Sequence, residues 1–147
     1  MSSPPRLTVY NHQKAIKLSD ELLGRLQSSG NRAVTEVLKV LKGNVAVLGK
    51  LDEVEVNLLD DVGISDIHLR FMEIPGATDV ITFDHGEIHI SVETAKSQAR
   101  EYGNHFEQEM MLYIIHGLLH LAGYEDATDK EYALMDEMQQ SILSEVW

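Results

Sequence analysis

Phe106-Glu-Gln-Glu-Met-Met-Leu-Tyr-Ile-Ile-His116-Gly-Leu-Leu-His120-Leu121 is the most apolar helical stretch of this 147-residue chain. Met110, Met111, Leu112, Ile114, Ile115, Leu118 and Leu119 fall almost all round a 3.6-residue turn, which marks a helix buried in the middle of a fold. His116 and His120 stand four residues apart, on one face and close enough to hold one metal ion. Uncompensated imidazoles are disfavoured in so apolar a helix, which weighs against a mere pair of hydrogen-bonded core histidines. Gly123 follows, able to take the left-handed conformation that ends a helix and turns the chain back. Asp126 then comes ten residues after His116, placed to offer an oxygen to the same ion. Glu125 and Asp129 are alternative carboxylates, but Asp129 suits the N-cap of the next helix, leaving Asp126 freer to ligate. Two imidazoles, one carboxylate and an open fourth position describe a catalytic zinc, with other divalent ions also suited.

Outward from that helix, the N-terminal side reads as alternating short strands and helices. Leu7–Asn11 and Glu53–Leu59 alternate as strands. Between them, apolar residues recur at helical spacing from Ser19, an expected N-cap, to Leu41; Ser28-Ser-Gly-Asn31 interrupts them, which predicts two helices. Gly63–Phe71 reads as a short helix and Ile74–Ala77 as a turn. Asp79–Phe83 and Glu87–Ser91 are strands of a hairpin turning at Asp84-His-Gly86. His89 alternates with Ile88 and Ile90, which assigns it to a solvated face. Val92–Tyr102 and Lys130–Val146 are amphipathic helices, the first ending at Gly103-Asn104. The order predicts one α+β domain over residues 1–147, with a mixed four-stranded sheet, five to six helices and the histidine helix at its centre.

Composition narrows the function. A hydrophobic fraction of 44% and a charged fraction of 24% are ordinary for a globular protein. Without cysteine there is no disulfide frame and no thiolate zinc site. The N-terminal segment holds no apolar run long enough for a signal peptide, and nothing approaches the roughly 18 consecutive apolar residues of a membrane helix, so the expectation is a cytoplasmic protein without membrane contact. A net charge of −12 argues against broad nucleic-acid binding and favours a monomer, but it is neutral on metal-assisted RNA chemistry.

The spacing of His116, His120 and Asp126 is that of the metalloprotease pattern His-Glu-x-x-His-x-x-Gly-x-x-His. Those enzymes carry a glutamate base directly after the first histidine, where this chain has Gly117. A zinc metallopeptidase would therefore need its base from elsewhere. The histidine motif His116-Gly-Leu-Leu-His120-Leu-Ala-Gly123-Tyr124, preceded by Thr78-Asp-Val-Ile-Thr-Phe83 and Gly86-Glu-Ile-His-Ile-Ser91, instead resembles the bacterial YbeY-type endoribonucleases. The resemblance runs from about Glu53 to Trp147, and more loosely before it.

That resemblance implies a single-strand-specific, metal-dependent endoribonuclease that matures ribosomal RNA, including the 3′ end of the small-subunit RNA, and serves ribosome quality control. Single-stranded RNA and the small ribosomal subunit or its assembly factors are the implied partners. A ribosome-assembly binding factor with a mainly structural metal is the non-enzymatic alternative. Two residues depart from the family's pattern. Asp126 stands where a third histidine is usual, which slightly favours harder divalent ions. Met72 stands where an arginine usually contacts RNA phosphate; Arg70 is the nearest substitute, against the plainer reading of an exposed arginine on an acidic helix. His85, on the hairpin, is a further candidate for acid–base or phosphate contact, and Thr78 and Tyr124 are expected to support the metal ligands.

Overall fold

In the computed structural model, which describes residues 3–43 and 46–147, the alternating segments pair into one four-stranded mixed sheet. The first two residues of the N-terminal segment lie outside the described residues. Strands β1 (Arg6–Asn11), β2 (Glu53–Leu59), β3 (Val80–Phe83) and β4 (Glu87–Ser91) lie in the order β1-β2-β4-β3. β1 and β4 run parallel to β2, and β3 closes the far edge antiparallel to β4. Register places Val56 beside Ile88 and Leu58 beside Ile90, so these side chains share one fully buried face. Five α-helices accompany the sheet: α1 (Asp20–Leu38), α2 (Asp61–Met72), α3 (Val92–Tyr102), α4 (Phe106–Leu121) and α5 (Asp129–Val146), with a short 3-10 turn at Leu48–Lys50. The architecture is α+β in a single domain, as expected, with α4 at its centre.

Three details differ from the sequence reading, each for a local reason. The segment from Asp20 to Leu38 is one helix rather than two. Ser29 and Gly30 are buried contacts instead of a break: a Cβ at Gly30 would lie 2.7 Å from Leu7 Cδ2, so α1 crosses β1 at van der Waals contact. Next to it, the Asn31 amide accepts from Leu7 N and donates to Leu7 O, both at 2.9 Å, while Gln27 Oε1 accepts from Val9 N at 3.1 Å. These side chains cover the free edge of β1, which would otherwise expose unpaired backbone groups. Second, α5 is capped by Thr128 rather than Asp129; Thr128 and Glu131 satisfy each other's backbone N–H groups in a capping box.

Third, His89 is buried, at 7% exposure, not solvated. Its strand is covered on both faces, because α2 packs against β4 opposite α4. Phe83 meets its ring edge-on at 5.6 Å, and its Nδ1 has no hydrogen-bond partner among the described residues. Burial, aided by His12 and His85, lowers its pKa, while Glu87 opposes the shift.

A second close crossing lies between α4 and β4. A Cβ on Gly117 would sit 2.8 Å from Cδ1 and 2.9 Å from both Cγ1 and Cγ2 of Ile88. Ile88 is itself fully buried and has nowhere to go. Gly117→Ala should therefore destabilise the chain by about 1–3 kcal/mol through overpacking, despite the roughly 1 kcal/mol that alanine gains in helix propensity. Urea denaturation reads this directly, and an unchanged midpoint would show that α4 is not held against Ile88. For His89, a depressed folded pKa means that the unfolded chain binds the proton more readily. Stability on this account is present above the ordinary value of 6.5 and is lost as pH falls through it. Melting temperatures of the wild type should thus fall relative to His89→Val as pH is lowered from 7 to 5, where parallel curves would contradict the assignment.

Candidate metal centre

His116 and His120 project from the C-terminal half of α4 because Gly117, between them, turns its bare face to the sheet. α4 ends at Ala122, and Gly123 at φ +100° reverses the chain, a conformation that costs glycine little. The reversal brings Asp126 back over the helix. Its Oδ2 lies 3.3 Å from His116 Nε2 and 3.8 Å from His120 Nε2, while the two Nε2 atoms are 2.9 Å apart. These separations bracket the roughly 3.3 Å that ligand atoms about 2.05 Å from a tetrahedral ion keep between themselves. Glu125 and Asp129, the other carboxylates considered from sequence, do not join this group of potential ligands.

Tautomers sharpen the case. His120 Nδ1 donates to the Tyr124 carbonyl at 2.8 Å; a carbonyl only accepts, so the proton sits on Nδ1 and Nε2 presents a lone pair. His116 Nδ1 pairs with Gln139 Oε1 at 2.5 Å in the same sense. Two Nε2 atoms then face each other beside a carboxylate oxygen, an arrangement suited to a divalent cation between them. Burial, and next the neighbouring His116, holds the His120 pKa below its ordinary value, with Asp126 opposing. The neutral imidazole is the form that binds a metal. The group His116, His120 and Asp126 can hold a metal ion.

These three residues open onto a cleft of ≈ 760 Å³. Its floor is one stripe of α4, Glu109, Tyr113, His116 and His120, at spacings of four, three and four. Thr78 and Asp79, at the start of β3, form one wall, and α5 forms the other through Tyr132, Asp136 and Gln139. Gln98 and Tyr102 of α3 close the far end, where the Tyr113 hydroxyl donates to Gln98 Oε1 at 2.6 Å. Asp79 also orders the loop, accepting from Val80 N at 2.8 Å. Burial, with Asp79 and Glu109 adding, pushes the Tyr113 phenol well up.

The other residues singled out from sequence fall in different places. Thr78 lines the cleft. Tyr124 touches His120 through its carbonyl, while its ring turns away and its hydroxyl donates to Val40 O. Arg70 sits on the exposed side of α2, paired with Asp66 at 3.2 Å, and is not among the cleft's lining residues. His85 lies at the hairpin turn, paired with Glu87 and stacked on Phe83, likewise away from the cleft. Gln139, Glu109 and Tyr113 were not singled out. The polar stripe of Glu109, Tyr113, His116 and His120 through an apolar helix was the available signal; nothing in sequence links Gln139 to His116.

Gln139 fixes the ring of His116 without ligating. Gln139→Ala should weaken zinc affinity by roughly tenfold to a hundredfold and leave the fold intact, as read by competition with a chromogenic chelator. His116→Ala and Asp126→Ala should each release the ion, and full retention by Asp126→Ala would remove that carboxylate from the ligand set.

Known proteins match the chain over most of its length. The family described as Endoribonuclease YbeY matches residues 9–147. An endoribonuclease YbeY of Thermotoga neapolitana is 34% identical over 139 residues, covering 90% of this chain and 89% of its own. That of Caldanaerobacter subterraneus subsp. tengcongensis is 30% identical over 150 residues, covering 86% and 94%. A solution structure of a Thermotoga maritima protein superposes with a TM-score of 0.64 at 30% identity, over 96% of this chain and 89% of that one. With its fold shared and nearly its whole length matched, the chain belongs to the YbeY endoribonuclease family.

Proposed function

We propose that this chain is a single-strand-specific, metal-dependent endoribonuclease with His116, His120 and Asp126 as its metal ligands. The observation that carries the reading is the convergence of two lone-pair nitrogens and a carboxylate oxygen at the floor of an open cleft, in a chain of an endoribonuclease family. Zinc suits this donor set, and the single carboxylate also admits harder divalent ions. The family resemblance further supports ribosomal RNA as substrate, the 3′ end of the small-subunit RNA as a site of action, a part in ribosome quality control and a cytoplasmic setting.

Each residue has a defined task in this reading. The Tyr124 carbonyl and the Gln139 amide hold both imidazoles with Nε2 turned to the cleft. Thr78 and Asp79 shape the wall opposite α5. When bound, a divalent ion supplies a Lewis acid for a phosphoryl oxygen and acidifies water, or steadies charge as a ribose 2′-hydroxyl attacks. The metallopeptidase alternative loses ground because position 117, where such enzymes carry the base, faces Ile88 with no room for a side chain. A purely structural metal is disfavoured by the cleft, since structural zinc sites are closed by four protein ligands.

The test is cleavage of a labelled single-stranded RNA by metal-loaded protein. Chelation should abolish cutting and added zinc or manganese should restore it. His120→Ala should lower the rate by at least roughly a hundredfold, since losing a ligand exceeds the 10–100-fold typical of outer partners. Intact RNA with the loaded wild type, or equal cutting by His120→Ala, would refute the nuclease reading.

A further inference from the structure

Among the described residues, the cleft of this family member is lined by no lysine or arginine; its ionisable groups, besides the two histidines and the tyrosines, are Asp79, Glu109, Asp126 and Asp136. Such a surface repels a phosphate backbone away from the ion, so whatever holds the rest of an RNA strand must be chemistry that tolerates negative charge. The end of the cleft remote from Asp126 offers it. Glu109 lies two turns before His116 on the same stripe of α4, about 10 Å away along the helix axis. It is only 7% exposed although it lines the cleft, and among the described residues no hydrogen bond reaches its carboxyl group. The nearest hydroxyl on the stripe, that of Tyr113, is already committed to Gln98. Burial and the neighbouring Asp79 raise the Glu109 pKa, as expected of a carboxyl that lacks donors.

Tyr102 stands beside this end of the cleft, at the last position of α3, one short link before α4 begins. It is 69% exposed, so its ring is open to a stacking partner. An exposed aromatic stacks on any base, whereas a carboxyl group accepts hydrogen bonds only from bases that present N–H donors on an open edge. Guanine, adenine and cytosine carry an exocyclic amino group; uracil presents one imino N–H between two carbonyl oxygens, which a carboxylate repels.

We propose that Glu109 and Tyr102 form a nucleobase subsite, in which a base near the scissile bond stacks on Tyr102 and donates from its amino group to the Glu109 carboxyl group. This inference rests on the endoribonuclease reading and adds to it a preference for amino-bearing bases over uracil at one position of the substrate.

The experiment uses the full, zinc-loaded chain and two probe sets. Single-stranded RNA oligonucleotides that differ only by guanine, adenine, cytosine or uracil at successive positions around the cut give cleavage rates. The matching 2′-deoxy oligonucleotides, with deoxyuridine in place of uridine, give dissociation constants without depending on cleavage. At one position the wild type should favour amino-bearing bases over uracil by roughly fivefold or more, the lower end of what a good base contact discriminates. Glu109→Gln should bring that ratio close to one, and Tyr102→Ala should weaken binding of all four probes alike. Circular dichroism and zinc content show that both variants are folded and loaded, and Tyr102→Phe should restore binding. No base preference in the wild type, or a preference that survives in Glu109→Gln, overturns the subsite. If the chain cuts no RNA yet the deoxy probes show a preference that Glu109→Gln removes, the subsite stands and the nuclease reading falls.

Discussion

The contact of Gly117 with Ile88 sets both the packing and the chemistry of this protein. With no Cβ in the way, the backbone of α4 lies flush on β4, and the Cδ1, Cγ1 and Cγ2 atoms of Ile88 fill the space a side chain would take. Position 117 thus defines the buried face of the helix. His116 and His120 fall to one side of that face and reach the cleft, while Leu118 and Leu121 remain in the core. The same contact separates this site from zinc peptidases with related spacing. A glutamate at 117 would point into the sheet, so the bare glycine is a consequence of close packing as well as the absence of a base.

Around the ligands, the surrounding structure acts by hydrogen bonding more than by charge. The Tyr124 carbonyl and the Gln139 amide choose the tautomers, and burial keeps the His120 imidazole neutral. Each converts an ambiguous ring into one with a lone pair aimed at a common point. α5 is therefore part of the site although it supplies no ligand, and its capping box at Thr128 matters because it starts the helix that delivers Gln139. The cleft itself is acidic, so in the proposed reading attraction for an RNA backbone is confined to the neighbourhood of a bound ion. In the proposed subsite, recognition elsewhere falls to stacking and to base edges, and the edges carry sequence information that phosphate contacts do not.

What sequence revealed and what it hid divide along contact range. β2, β3, β4 and α4 were legible because their periodicity reports burial directly, and His116, His120 and Asp126 because a helix turn and a glycine bring them together locally. The break expected at Ser28–Asn31 was misleading, since small polar residues mark a helix end and a close helix–strand crossing alike; only the Leu7 contact decides between them. His89 misled through alternation, which tells two faces apart but does not say that the second is covered by α2. Gln139 was invisible because its link to His116 is made through space between two helices. Nor could spacing show that Arg70, on the expected short helix, lies outside the cleft or that Glu109 lines it.

The ligand group has one more property, which concerns its connectivity. All three candidate ligands come from residues 116–126, a single helix end and the turn that follows it. Closing so short a loop costs little chain entropy, so the group can gather as soon as α4 and its Gly123 turn exist, without waiting for the sheet to pair. The dependence is one-sided. The buried cluster is built mainly from β1, β2, β4, α1 and the apolar side of α4 and does not include the three candidate ligands, whereas the turn at 122–128 is anchored through His120, Val40 and Lys42. Loss of an ion would thus loosen that turn as a small cooperative unit and leave the rest of the domain standing, which makes the metal centre a local clasp rather than a keystone.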